Sequence, residues 1–266
     1  MSASEPTVVL VHGAFADASS WNGVVEILQR RGHVVLAPAN PLRGIAADAA
    51  YLSGVLGQIE GPVLLVGHSY GGAVMTNAAT EAQNVVGLVY VSAFAPDEGE
   101  LLINIENGSK DSVLDTALVP TRYPTGEPGK TATEFGINPE LFHDVFAADL
   151  PAEQTAVMAA TQRPVAEAAF AEPSGPPAWK RLPSWAVVGT GDHAAGADVV
   201  RSMAQRAGAE IVELEGSHVI MVSQPEPVAD VIVRALEAVG KAAVDLPAQR
   251  RPQEAEQAEP AVGQAP

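Results

Sequence analysis

Residues 62–75 read Pro62-Val63-Leu64-Leu65-Val66-Gly67-His68-Ser69-Tyr70-Gly71-Gly72-Ala73-Val74-Met75. Four consecutive apolar residues, Val63 to Val66, describe a strand covered on both faces, because a half-exposed strand would alternate apolar with polar. Small residues follow from Gly71 and suit a helix packed closely on that strand. Between them sits G-x-S-x-G, and a strand before and a helix after are the context in which that pattern carries chemistry. So sharp a turn forces Ser69 into a strained backbone conformation that lifts its hydroxyl above the sheet. Glycines two positions either side avoid clashes with the neighbouring strand and helix. The N-terminus of the following helix favours negative charge developing at this point. A surface turn that carries the pattern by chance is the bland alternative, and burial of the flanking strand weighs against it.

Outward from this elbow, similar apolar runs occur at Thr7–His12, His33–Pro38, Val85–Ala93, Ser184–Thr190 and Glu210–Glu215. The last alternates and suits an edge strand. Stretches of helical period separate the runs. Trp21, Val24, Val25 and Leu28 form one face, with Ser19 or Ser20 as the cap. Ile45, Ala49, Leu52 and Leu56 form a second face. Val228, Val231, Ile232, Ala235 and Val239 form a third, closed by Gly240. Strand–helix alternation with right-handed crossovers predicts an α/β fold, a doubly wound, mostly parallel sheet.

The alternation breaks at 97–178. There the chain has a Pro/Gly-rich connector (Tyr123-Pro124-Thr125-Gly126-Glu127-Pro128-Gly129), a helix with Leu141, Phe142, Val145 and Phe146 on one face, and another helix over Ala152–Thr161. This is the expected cap insertion over a core made of 1–96 and 179–240. Residues 241–266, rich in Ala, Glu, Gln and Pro, read as a disordered tail.

A serine hydroxyl is a weak nucleophile and needs a base, which needs an orienting acid. His218 follows the last strand and would hang over the sheet edge beside Ser69. The other five histidines have simpler readings as turn, strand, cap-helix or neighbouring residues. Asp192 follows the strand 184–190 and is the first acid candidate; its bland role is to cap a helix over 194–207. Asp97, after the preceding strand, is the second. The negative oxygen of a tetrahedral intermediate needs waiting backbone N–H groups, for which Tyr70 and Ala14, in His12-Gly13-Ala14-Phe15, are placed. Phe15, Phe142 and Phe146 are candidates for shaping a substrate pocket.

With Val9-Leu10-Val11-His12-Gly13-Ala14, the elbow at 67–72 and Ser217-His218 in this order, the sequence resembles the α/β-hydrolase superfamily over about residues 7–96 and 183–240. Val89-Tyr90-Val91-Ser92-Ala93-Phe94-Ala95-Pro96-Asp97 and Trp21 are similar to the methylesterase and hydroxynitrile-lyase branch, in particular its small bacterial serine hydrolases. The resemblance implies esterase chemistry with Ser69, Asp192 and His218 as a triad. The plant lyases of that branch carry Thr after the oxyanion-loop His and Lys after the catalytic His. This chain has Gly13 and Val219, which favours hydrolysis. The segment Asp192-His193-Ala194-Ala195-Gly196 lacks the branch's Ile-Pro after the acid, so Asp97 stays open as the acid.

Composition narrows the classes. The chain has 266 residues, no cysteine, 15 basic and 32 acidic residues, and a net charge of -17. Absence of Cys excludes disulfides, thiolate nucleophiles and Cys-bound zinc. The acidic balance argues against nucleic acid as a partner and against a basic membrane footprint. No apolar run reaches the roughly 18 residues of a membrane span. No leader-like start is visible, and a cytoplasmic location is the expectation. No metal or cofactor is called for. The expected substrate is a small, largely apolar ester or lactone. Perhydrolysis by the same triad, and a non-catalytic ligand-binding protein on the same scaffold, are the competing readings.

Overall fold

The computed structural model describes residues 5–245. The core alternates β1 (Thr7–Val11), α1 (Asn22–Arg30), β2 (Val35–Leu36), α2 (Ile45–Leu56), β3 (Val63–His68), α3 (Tyr70–Ala78) and β4 (Val85–Val91). The cap then inserts α4 (Leu102–Asn107), β5 (Leu118–Pro124), β6 (Thr131–Ile137), α5 (Phe142–Phe146), α6 (Ala152–Thr161), β7 (Val165–Ala166) and α7 (Ala168–Ala171). The core resumes with β8 (Ser184–Gly189), α8 (Ala197–Arg206), β9 (Glu210–Leu214), α9 (Ile220–Ser223) and α10 (Pro225–Asp245).

Six strands form one parallel sheet in the order β2-β1-β3-β4-β8-β9. The chain moves one way from β1 to β2 and the other way through β3, β4, β8 and β9. Right-handed crossovers therefore place α1 on one face and α2, α3 and α8 on the other. α10 returns to pack on α1, and α2 packs on α3. Every residue of β3 is buried, as its unbroken apolar run requires. Connections leave β1 and β3 in opposite directions, and a crevice opens at such a switch point beyond the strands' C-terminal ends. The loop after β1 and the elbow after β3 meet there.

Several expected boundaries move. The run His33–Pro38 supplies only two paired residues, Val35 and Leu36. Val34 is 67% exposed, because this is the outer edge of the sheet. Neither Ser19 nor Ser20 caps α1. Asp17 caps a 3-10 turn over Ala18–Trp21, accepting from Ser19 N, and α1 continues from that turn. The helix expected over 194–207 starts at Ala197, after Gly196 at φ 91°. Helix α10 runs through Gly240 to Asp245, so the first five residues of the expected tail are helical; the rest lies outside the described residues.

The Pro/Gly-rich connector is the turn of a hairpin. β5 and β6 pair antiparallel from Leu118↔Ile137 to Pro124↔Thr131, and β7 adds a third strand through Phe135↔Val165. Below it α5 and α6 pack together, and Phe142, Val145 and Phe146 turn inward.

Candidate active site

Ser69 stands between β3 and α3 with φ 52° and ψ −126°, a backbone region that costs a non-glycine residue about 1–3 kcal/mol. The packing around it over-determines that shape. A Cβ on Gly71 would lie 2.4 Å from the Val11 carbonyl oxygen, one on Gly67 2.8 Å from Gly71 O, and one on Gly72 2.5 Å from Phe94 O. Gly13 lets the loop after β1 approach equally closely, since a Cβ there would sit 2.6 Å from Ser69 Cβ. The Ser69 carbonyl accepts from Gly72 N at 2.9 Å and Phe94 N at 3.1 Å.

His218 lies in the turn between β9 and α9. Its Nδ1–H donates to Asp192 Oδ2 at 2.8 Å, with the two side chains 2% and 0% exposed. Asp192 Oδ1 accepts from the backbone N–H of Ala194 and Ala195, each at 3.0 Å. The carboxylate is thus held by three donors, and with Nδ1 protonated the basic nitrogen of His218 is Nε2. Backbone bonds tie the two loops together: Thr190 N to Leu214 O and Gly191 N to Gly216 O, both 2.9 Å. His68 Nε2 donates to the His218 carbonyl at 3.0 Å, and Ser217 Oγ donates to Asp149 of the cap. Ser69 and His218 border one cavity. No hydrogen bond is closed between their side chains among the described residues; catalytic hydrogen bonds of this kind are often long until substrate binds.

Asp97 is placed elsewhere. It accepts from Lys180 Nζ at 2.5 Å and from Glu98 N at 2.7 Å, and the Lys180 contact holds its carboxyl below the usual range. The acid that meets His218 is Asp192.

The loop after β1 is fixed by its histidine. His12 Nδ1–H donates to Gly13 O at 2.9 Å, and its Nε2 accepts from Asn40 N at 2.9 Å. Burial lowers its pKa, so the ring is neutral, as that tautomer needs. The same cause, burial, puts His68 well below the ordinary value. Ala14 N–H has no backbone partner among the described residues, and Tyr70, as the first residue of α3, has none inside its helix. Both residues border the cavity. The Tyr70 ring is anchored away from the reaction centre, with Oη donating to Asp48 Oδ2 at 2.7 Å. Asp48 also accepts from Arg43 N and Gly44 N.

The free space beside Ser69 is about 10 Å³, room for one water. Phe15 and Phe146 form part of its wall and meet edge to face, with ring centroids 6.1 Å apart. Phe142 does not reach it: it is fully buried behind Phe146, 5.0 Å away between ring centroids. Phe94, Leu114, Phe170 and Glu106 add to the wall, with Ala194 and Ala195 from the turn that holds Asp192. Of these, Phe94 lies in the segment after β4 that carries the family resemblance, whereas Leu114, Phe170 and Glu106 belong to the cap. On the far side of Phe15 a larger groove of about 340 Å³ opens between the loop after β1 and α6, lined by Ser19, Gln154, Val157 and Met158 among others. Among the described residues no helix is long and apolar enough to cross a membrane.

A strained serine at the switch point of a parallel sheet, sharing a cavity with an imidazole seated on a buried carboxylate, is the layout of an α/β-hydrolase fold. The chain belongs to the Alpha/beta hydrolase family, which matches residues 8–231. It is 39% identical over 111 residues to a carbendazim hydrolyzing esterase of Nocardioides sp. (strain SG-4G), a match covering 36% of this chain and 45% of that one. The chain thus spans less than half the length of that relative. The solved structure of polyneuridine aldehyde esterase superposes with a TM-score of 0.72 at 22% identity, over 87% of this chain and 99% of the other. A pyrethroid hydrolase from Sphingobium faniae JZ-2 gives 0.71 at 21% identity, over 88% and 98%. At these identities the two structures speak for the fold.

Proposed function

We propose that this protein is a cofactor-independent serine esterase that cleaves a small, largely apolar carboxylic ester or lactone through an acyl-enzyme. The observation that carries this reading is the 2.8 Å bond from His218 Nδ1 to buried Asp192, on a ring that shares its cavity with Ser69. His218 Nε2 takes the Ser69 proton as Oγ attacks the carbonyl carbon. Asp192 holds the tautomer and stabilises the imidazolium that forms. The N–H groups of Ala14 and Tyr70 receive the developing oxyanion. The alcohol leaves with the proton from His218, and a water, deprotonated by the same nitrogen, releases the acid. The mostly apolar wall of Phe15, Phe94, Leu114, Phe146 and Phe170 supports an apolar substrate, and the resemblance to the carbendazim hydrolyzing esterase supports hydrolysis of a carboxylic derivative.

Screening an ester library with wild type and Ser69→Ala tests this. Turnover is expected to disappear in the variant with the thermal unfolding curve unchanged, and a fluorophosphonate probe is expected to label wild type alone. Retained hydrolysis by Ser69→Ala overturns the assignment, and failure of the probe to label wild type points to a non-catalytic binder. Activity that depends on added hydrogen peroxide would assign perhydrolysis to the same residues.

A further inference from the structure

The cavity at Ser69 holds one group that the proposed hydrolysis leaves unused. Glu106, near the end of α4, borders the same space as Ser69 and His218. Its Oε1 is closed off from solvent and has no hydrogen-bond partner among the described residues. Apart from Ser69, His218 and Tyr70, whose hydroxyl is tied to Asp48, the other residues bordering that space are alanine, leucine and phenylalanine, which carry no side-chain donor. A buried acceptor left without a donor is costly, and here the cost falls where a substrate would supply the missing partner.

We propose, resting on the esterase reading above, that Glu106 is a substrate-recognition residue that pairs with an N–H donor carried by the substrate on the part remote from its reacting carbonyl. The remote part is singled out because Ser69 and the Ala14 and Tyr70 N–H groups claim the carbonyl itself. The donor is singled out by the chemistry of a carboxyl. Burial, with the charges of Asp115 and Asp192 nearby, raises Glu106 to about 7, so neutral acid and carboxylate both occur near neutrality. A substrate carbonyl could pair only with the neutral form, whereas an N–H can donate to either. Among the described residues no Lys or Arg side chain borders the cavity, so an anionic substrate group would meet Glu106 uncompensated. The class that fits is a carboxylic ester bearing an amide, amine or N–H heterocycle.

The test compares matched 4-nitrophenyl esters whose acyl chains, of graded length, end in either a methyl or a primary amide. The quantity read is the ratio of kcat/KM for amide over methyl, in wild type, Glu106→Leu and Glu106→Gln. Glu106→Leu is expected to lower that ratio about tenfold at the chain length that reaches position 106, through KM. Glu106→Gln, which retains a carbonyl acceptor and the shape, is expected to keep most of the preference. A ratio unchanged by Glu106→Leu at every length overturns the proposal, as does an equal loss for both partners; either result would leave Glu106 bonded to a cavity water only. Fluorophosphonate labelling of Ser69 in Glu106→Leu separates these outcomes from a collapsed site, and Glu106→Gln then supplies the comparison. Activity surviving in Ser69→Ala would instead remove the esterase reading on which the proposal stands.

Discussion

Replacing Glu106 by Gln tests the burial of this carboxyl without any substrate. Its ordinary value of 4.5 is raised to about 7, chiefly by desolvation and then by the charges of Asp115 and Asp192. Below pH 4.5 the group is neutral in folded and unfolded chains and adds no penalty. Between pH 4.5 and 7 the unfolded chain releases a proton that the folded chain keeps, so wild type loses stability as the pH rises. Above pH 7 the loss is complete. At about 1.36 kcal/mol per pH unit, the gap amounts to on the order of 3 kcal/mol, an upper value because cavity water can share the charge. Gln has no proton to lose, so the variant gains on wild type across that window and holds the gain beyond it. For a domain of this size this corresponds to a difference of about 6–12 °C in Tm. Urea and thermal unfolding of both proteins at pH 5 and pH 8 measure it, with Asp115→Asn as a partner that should narrow the window. A gap between wild type and variant that is the same at both pH values would show that the folded state does not hold the Glu106 proton, and the reasoning from burial would fail.

Two further outcomes follow from the site's construction. Asp192→Asn is expected to lower kcat on the best ester about 10⁴-fold, with labelling of Ser69 much slowed and the fold retained; near-normal turnover would remove Asp192 from its proposed role. Gly71→Ala sets a Cβ at 2.4 Å from the Val11 carbonyl, where only backbone can move away, and is expected to cost about 3 kcal/mol or more, read as a lower urea midpoint; an unchanged midpoint would contradict the crowding at the elbow.

The four central strands β1, β3, β4 and β8 were legible because burial on both faces writes continuous apolar runs, and β3 is the clearest case; β9 showed the alternation of an edge strand. The elbow was legible because Gly67 and Gly71 meet backbone atoms too close for any side chain. The cap was less so. β5 is mostly exposed along Leu118–Pro124 and includes Pro120 and Arg122, so no alternation marks it as a strand; its backbone pairing with β6 is what holds it. Phe142 and Phe146 share one helical face, and periodicity alone cannot say that Phe146 would reach the cavity while Phe142 stays behind it. Glu106 gave even less signal. One acid at the end of Leu101-Leu102-Ile103-Asn104-Ile105 looks like a solvated helix end, and only the fold of the cap onto the sheet turns it inward. Asp192 and Asp97 both follow a strand, so position put Asp192 first without excluding Asp97; in the fold Lys180 holds Asp97, and the turn at Ala194 and Ala195 leaves Asp192 Oδ2 for His218.

The cap does more than cover the cavity. About 10 Å³ beside Ser69 cannot admit an acyl group, so any ester large enough to touch Glu106 must displace part of the wall. Phe15 is the residue shared by this cavity and the 340 Å³ groove next to it. It sits one position beyond Ala14 at φ 59°, a left-handed conformation that strains a non-glycine residue. A rotation of its ring would join the two spaces, and a shift of its backbone would move the proposed oxyanion donor with it. The loop that carries His218, the proposed base, is tied to the inserted segment as well, through Ser217 and Asp149, and Phe146 lies 5.0 Å from the His218 ring between centroids. Opening the wall and setting the base therefore act on the same few residues. On this layout, selectivity and rate would not separate cleanly in variants of Phe15 or Phe146, and Glu106, which feels the charge of Asp192, is coupled to the same site.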